Sequence, residues 1–422
     1  MSQDNSQTTP MQEKIDTKPI LEKILQEGAR RLLQKAIESE VESFIENYKS
    51  ETDENGHRLA VRNGYHKDRT IITSMGPITV KKPRVDDRKL RERYPDIKFN
   101  SDILPKYLRR VPSIDNLIPA LYLKGISTQD FPSALSAILG DSVKNLSANT
   151  IVRLKKAWIQ DYNEWAKRDM SNKKYVYVWA DGIYFNVRLD DAKSCILTIM
   201  AADDHGNKEL LAISDGYRES KASWKPMLLD LKRRGLEIDP SLAIADGALG
   251  FWNALREIYP ATAEQRCWVH KTANILDKLP KNIQSKAKKM IHNMYQAENK
   301  KSAISEYNLF VKSFEDKYPK AVKCLTKDFD QLFSFYDFPA AHWQHIRTTN
   351  PIESTFATIR LRTKRTKGCG SREATLSMVF KLAKEAEKRW RKLRSFKLLP
   401  YVLDGEKFID GEPENEKLKK AA

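Results

Sequence analysis

The sequence predicts an α/β fold built on a mixed β-sheet with long helical flanks. Three observations carry this. Residues 174–217 hold three apolar, β-branched runs with short polar connections, "YVYVWADGIYFNVR", "SCILTIMAAD" and "KELLAISDGY". Short connections make them an antiparallel meander. A helix–strand–helix alternation follows, "SWKPMLLDLKRRG", "SLAIAD" and "LGFWNALREI", which calls for parallel pairing against the first strand. Residues 276–345 then carry helical periodicity, no strand signal and no glycine.

The other elements follow in chain order. Residues 20–48 place apolar side chains at helical spacing (Ile20, Leu21, Ile24, Leu25, Leu32, Leu33, Ile37, Val41, Phe44, Ile45), as one long helix or a helical pair serving packing or dimerisation. Residues 57–86 alternate and turn at Met75-Gly76-Pro77, the pattern of a hairpin with a basic face. Residues 113–162 read as three helices separated by Gly125 and Gly140, compatible with a helix-turn-helix unit or any small bundle. Its third helix, capped by Ser147, carries Arg153, Lys155 and Lys156 near its start. Asn350 caps a further helix with Pro351 at its first position, and residues 372–393 form the last.

Composition narrows the function. The chain has 422 residues and a formal net charge of +18, from 74 Lys+Arg against 56 Asp+Glu. Such a surplus favours a polyanionic partner, most often nucleic acid. Four scattered cysteines do not make a disulfide framework, so a reducing cytosol is expected. No apolar run approaches the ~20 residues of a membrane span. The N-terminus lacks a signal-peptide plan, and residues 1–19 and the polar stretch after 409 are expected to be disordered tails.

The chemistry is in the acids. Asp181 interrupts the first strand's apolar run, and Asp246 ends the fourth run, "LAIADG", in the same Ala-Asp-Gly context. A buried carboxylate is costly unless paired or bound to a cation. Asp-Gly is also an ordinary turn signal, and "SDG" at 214–216 is read as that. Two such acids ending neighbouring parallel runs would lie side by side, where like charges repel unless a cation sits between them. Mg²⁺ suits oxygen ligands, and two ions a few Å apart can activate a water and stabilise a leaving oxygen. The glycine after each acid leaves room for a backbone or ligand. Glu353, in the first turn of its helix, is the candidate third acid. Around it lie Arg347, Arg360, Arg362, Lys364, Arg365, Lys367 and Arg372, and from Arg360 to Arg372 no acid intervenes. That single-sign stripe reads as a phosphate-backbone surface. Cys267 and His270 have half of a zinc-site spacing without a second pair, so His270 is expected near DNA or the acids. Trp252, Trp268 and Trp343 are core candidates, an exposed one being able to stack on an unpaired base.

These stretches together resemble the Mutator-type transposases of bacterial insertion sequences. The resemblance rests on "VWADGIYFNVR", "GYRESKASWKPMLLDLKRRGL", "LAIADGALGFWNAL", "QRCWVHKTANILDKLPK" and "RTTNPIESTFATIRLRTKRTKGCGSR", and spans residues from about 20 to 395. It implies a ribonuclease-H-like core with a DDE site of Asp181, Asp246 and Glu353, with Cys267 and His270 as the family's cysteine–histidine signature. It also implies an all-helical domain inserted before the Glu. The expected organisation is a tail (1–19), a helical and hairpin region for DNA binding or dimerisation (20–112), and a helix-turn-helix-like domain (113–170). The core's first part (171–275), the insertion (276–345), the core's second part (346–395) and a tail (396–422) complete it. The implied activity is cleavage and strand transfer at terminal inverted repeats, using two Mg²⁺ or Mn²⁺ ions. The implied partners are end and target double-stranded DNA, the state a dimer or higher oligomer, and the location the bacterial cytoplasm and nucleoid. A domesticated DNA-binding repressor and a structure-selective nuclease of the same fold are the alternatives. The intact acids weigh against the first, and competition between end and random DNA separates the second.

Overall fold

The computed structural model describes residues 17–111, 121, 148–185, 194–216, 218–365 and 371–415. The chain divides into two compact units, Met1–Ile151 and Val152–Ala422. The first two helices expected of the helix-turn-helix lie outside the described residues, as do the N-terminal tail and the turn at Asp190-Asp191.

In the first unit the long-helix reading holds: α1 runs unbroken over Thr17–Asn47. The expected hairpin is β2 (Arg69–Thr73) paired antiparallel with β3 (Gly76–Val80), while β1 (Val61–Tyr65) pairs with β4 (Pro83–Asp86) around it. A short helix, α2 (Arg88–Arg93), follows. Ile37 of α1 is buried against Ile71, Ile78, Val80 and Leu104. Amide bonds from Gln26 to the Pro77 carbonyl (2.7 Å) and from Gln34 to that of Lys81 (2.9 Å) fix the helix on the hairpin. Towards its start, α1 leaves Ile20, Leu21, Ile24 and Leu25 exposed.

The second unit begins in α3 (Ala148–Ala166) and centres on a five-stranded sheet. Its strands are β5 (Tyr175–Phe185), β6 (Ser194–Asp203), β7 (Lys208–Gly216), β8 (Leu242–Ala245) and β9 (Ala263–Arg266), in the order β7-β6-β5-β8-β9. The first three form the antiparallel meander, and β8 pairs parallel with both β5 and β9. The crossovers are α4 (Lys221–Arg233), between β7 and β8, and α5 (Leu249–Ile258), between β8 and β9. Alternation along β5 sends Val178 and Ala180 into a core with Leu197, Ile199, Trp224, Leu228, Phe251 and Leu255 under α4 and α5. Tyr177 and Trp179 point to the other face, where the Tyr177 hydroxyl meets His342 Nδ1 at 2.8 Å and Trp179 donates to the His345 carbonyl at 2.9 Å.

From Trp268 to Ile346 the described structure is helical: α6 (Trp268–Leu276), α7 (Lys281–Gln296), α8 (Lys300–Phe314), α9 (Pro319–Thr326), α10 (Phe329–Leu332) and α11 (Trp343–Ile346), joined by loops and two 3₁₀ turns. Asp328 ties this stretch back to the sheet, accepting from Arg266 at 2.9 Å and Lys271 at 2.8 Å. The chain returns through α12 (Asn350–Arg365) and α13 (Arg372–Glu387), whose N-cap Ser371 accepts from the Ala374 amide.

The short run "ATAEQRC" after α5 supplies the fifth strand, β9. One expectation is corrected: residues 410–415, expected to be disordered, are ordered together with 396–409. Residues 396–415 form α14 (Leu399–Leu403) and a small hairpin, β10 (Phe408–Ile409) with β11 (Glu412–Pro413), with Leu399, Val402 and Phe408 buried. Asp410 accepts from the Lys300 amide and Gly411 bonds Tyr336, so apolar anchors and backbone bonds override the polar composition. No described helix is long and apolar enough to cross a membrane.

Candidate active site

The register of one strand pair sets the site. Ala180 of β5 pairs with Ala245 of β8 in parallel, so the next residue of each chain, Asp181 and Asp246, emerges at the same level of the sheet. They do so differently. β8 ends at Ala245, and Asp246 opens the loop to α5, where its Oδ1 accepts from the Ala248 amide (2.8 Å) and its carbonyl from Trp252 Nε1 (2.8 Å). Asp181 is no strand end: β5 continues to Phe185, with Asp181 paired to Thr198 of β6. It is only 6% exposed, and its Oδ1 accepts from the Gly182 amide at 2.8 Å. Burial pushes its carboxyl up to about 7, the charges of Asp246 and Glu353 add to this, and His270 opposes it.

The third acid comes from α12. Glu353 Oε1 accepts from the Thr349 hydroxyl at 2.7 Å and lies 3.8 Å from His270 Nδ1. Thr349 is fully buried, and its oxygen is 3.2 Å from Cys267 Sγ and 3.4 Å from His270 Nδ1, while its amide donates to the same sulfur at 3.3 Å. The donor atoms of Cys267, His270 and Glu353 lie within 4.8 Å of one another, a grouping that a metal ion can occupy. His270 is raised to about 9, first by its hydrogen bond with the Cys267 sulfur and then by the charges of Cys267, Asp181 and Glu353, against its burial. It is therefore a cation among acids at neutral pH.

His342 and His345 do not complete a zinc set. His342 is buried with Nδ1 against Tyr177 and Nε2 at 3.2 Å from the Ser395 carbonyl. The tryptophans are structural. Trp252 and Trp268 are buried, and Trp343 is half-buried with Nε1 bonded to the Phe338 carbonyl. Arg347 is half-buried, its guanidinium 5.3 Å from the Tyr295 ring and donating to the Tyr295 carbonyl at 2.8 Å. Arg372 pairs with Asp215 at 3.6 Å, and Arg360 is exposed on α12. Lys156 is exposed on α3. The side chains of Arg153, Lys155, Arg362, Lys364 and Arg365, and all of Lys367, lie outside the described residues.

The two glycines after the acids have different neighbours. A methyl group on Gly247 would fall 1.8 Å from Arg266 Nη2, so that glycine admits the guanidinium that pairs with Asp328. A methyl on Gly182 would fall 2.6 Å from the carboxyl of Glu219, a residue sequence reasoning missed. Glu219 is half-buried, pushed up to about 7 first by burial, then by Asp246 and Asp181. The available signal was "GYRES", an acid directly before a helix start, which reads as an ordinary cap region.

Asp181 and Asp246 thus follow paired residues of adjacent parallel strands, and Glu353 stands beside His270 on a later helix. The chain belongs to the Mutator family of transposases, whose family model matches residues 1–393. It is 50% identical over 298 residues to the transposase of insertion sequence element IS6120 from Mycolicibacterium smegmatis, covering 71% of this chain and 92% of that protein. It is also 50% identical over 282 residues to the transposase of element IST2 from Acidithiobacillus ferrooxidans, covering 67% and 95%. The IS256 transposase of transposon Tn4001 from Staphylococcus aureus is 26% identical over 333 residues, covering 78% and 81%.

Proposed function

We propose that the protein is a DDE transposase that binds the terminal inverted repeats of its own insertion sequence and catalyses DNA cleavage and strand transfer. The observation that carries this is the parallel pairing of Ala180 with Ala245, which delivers Asp181 and Asp246 together. The strand order, an antiparallel meander continued by two parallel strands, supports reading the core as ribonuclease-H-like. The helices between Trp268 and Ile346 support reading 276–345 as a domain inserted before Glu353. Residues 20–170 are assigned to end recognition and pairing. The exposed Ile20, Leu21, Ile24 and Leu25 suit a dimer or higher oligomer holding two ends.

The donor chemistry fits hard divalent cations. Asp181 and Asp246 offer oxygens, and a carboxyl as buried as Asp181, raised by neighbouring acids, gains most from a cation. Asp181, Asp246 and Glu353 would hold two Mg²⁺ or Mn²⁺ ions. Such ions, when bound, lower the pKa of a water and neutralise charge developing on the leaving oxygen. Cys267 is soft and already accepts from the Thr349 amide, so the Cys267–Thr349–His270 group is better read as a hydrogen-bonded support for Glu353. Protonated His270 balances the acids and can donate to a phosphate oxygen. The reaction is hydrolysis of the phosphodiester at the element's end, which frees a 3′-hydroxyl, followed by attack of that hydroxyl on a second strand. The chain's contribution is positioning and charge balance.

Asp181→Ala and Asp246→Ala are each expected to abolish Mg²⁺-dependent cleavage of end-containing DNA while leaving end binding intact in a gel-shift assay. Cleavage by either variant at the parental rate would remove the metal-site assignment.

A further inference from the structure

We propose that Glu219 is a fourth carboxylate of the cation site, joining Asp181 and Asp246 from the space that Gly182 leaves open. The inference rests on the reading of Asp181 and Asp246 as cation ligands. Along β5 the pleat sends Asp181 to the face of Tyr177 and Trp179, and Gly182 to the other face. There the missing side chain of Gly182 is replaced by the Glu219 carboxyl, 2.6 Å from where a methyl would stand. Any larger residue at 182 would displace that carboxyl.

The Glu219 backbone is pinned as well. A methyl on Gly250, at the start of α5, would lie 2.4 Å from the Glu219 carbonyl oxygen, so α5 packs directly on the segment that precedes α4. Two close glycine approaches, one to the side chain and one to the main chain, thus hold Glu219 beside β5 and the loop of Asp246. Tyr184, two residues beyond Gly182 on the same face, acts on the carboxylate in the opposite sense to the acids. The charges acting on it most strongly are those of Asp246 and Asp181, with His270 in opposition. A structural glutamate is normally neutralised by a lysine or arginine. The strongest charges acting on this one are those of acids, and a cation held with Asp181 and Asp246 relieves that repulsion.

The probe is Mn²⁺, titrated into metal-free full-length protein and followed by electron paramagnetic resonance and calorimetry. Glu219→Gln keeps the shape and removes the charge. It is expected to weaken Mn²⁺ binding at least tenfold, with the metal-free melting temperature not lowered, and to raise the Mg²⁺ concentration needed for half-maximal cleavage. Glu219→Asp, which restores the charge on a shorter stem, is expected to recover part of the affinity. Glu219→Gln binding Mn²⁺ like the parent, while Asp181→Asn and Asp246→Asn do not, overturns the role of Glu219 alone. Parental binding by all three variants overturns the cation site itself, and this inference with it. Loss of Mn²⁺ affinity with a lowered metal-free melting temperature assigns Glu219 to folding and overturns the proposal.

Discussion

The acids of the candidate site are shifted by burial and by one another's charge, and this has a measurable sign. Asp181 is raised from 3.8 to about 7, and Glu219 from 4.5 to about 7. Each binds its proton more tightly in the folded chain, so stability falls as pH rises from about 4 to about 7. His270, raised from 6.5 to about 9, contributes stability that is whole below 6.5 and lost as pH rises through 9. All three slopes agree. The metal-free protein is expected to melt at progressively lower temperature from pH 5 to pH 9, and Asp181→Asn should flatten the acidic half of that curve. Mn²⁺ should reverse the loss at pH 8 and do little at pH 5. Thr349 gives a second prediction. Thr349→Val removes the hydroxyl that holds Glu353 Oε1 and should slow cleavage about tenfold or more, whereas Thr349→Ser should retain most of the rate. Of the candidate residues, Asp181 and Asp246 stand out in the sequence because an acid disrupts an apolar run. Glu353 was visible through its basic surroundings. Thr349 and Glu219 were not, because a threonine before a helix and a glutamate before another are common helix-start residues. Only the tertiary approach of β5, α6 and α12 gives them a different meaning.

At the scale of elements, most of the pattern was readable because burial follows periodicity. The meander, α4, β8, α5 and α12 lie where alternation, caps and glycine stops put them. β9 carries the weakest signal of the five because it is an edge strand of four residues, Ala263–Arg266, of which only Gln265 and Arg266 are buried. Its polar side chains are used inside: Gln265 donates to the Leu332 carbonyl and accepts from the Phe335 amide, and Arg266 pairs with Asp328. The glycines after the acids were read as room for a backbone or a ligand, and side chains use that room: the Glu219 carboxyl at Gly182 and the Arg266 guanidinium at Gly247. Gly250→Ala therefore tests packing. Its methyl would meet backbone atoms of Glu219, Ser220 and Lys221 at 2.4–2.7 Å, so α4 and α5 must separate, at a cost of about 1–3 kcal/mol. A drop of several degrees in melting temperature is the expected reading. An unchanged value would mean that this contact is not tight in solution.

For the whole molecule, the charge surplus and the ends of the chain make the predictions. With +18 net charges, affinity for end-containing DNA should fall linearly on a log–log plot against salt concentration, and random DNA should show a similar slope at lower affinity. Fluorescence anisotropy from 50 to 300 mM salt checks both. Deleting residues 396–422 removes Leu399, Val402 and Phe408 from the fold, each worth about 1.5–3 kcal/mol when fully buried, along with the Asp410–Lys300 bond. The truncated protein should be markedly less stable in urea. The apolar residues of this stretch lie in one short run, Phe396–Leu403, and at Phe408–Ile409, and Leu399, Val402 and Phe408 are the ones buried.

The position of Asp181 within β5, rather than at its end, has a kinetic consequence. Its main chain lies in the central strand, paired with β6 at Asp181 itself and with β8 just before it. A loop-borne acid exposes its amide whenever the loop frays. This one exposes its amide only when the middle of the sheet opens. In native-state hydrogen exchange, the amides from Val178 to Asp181 should therefore exchange among the slowest in the protein, while the amide of Asp246, beyond the end of β8, exchanges faster. Asp181 would then keep its place until the domain itself unfolds.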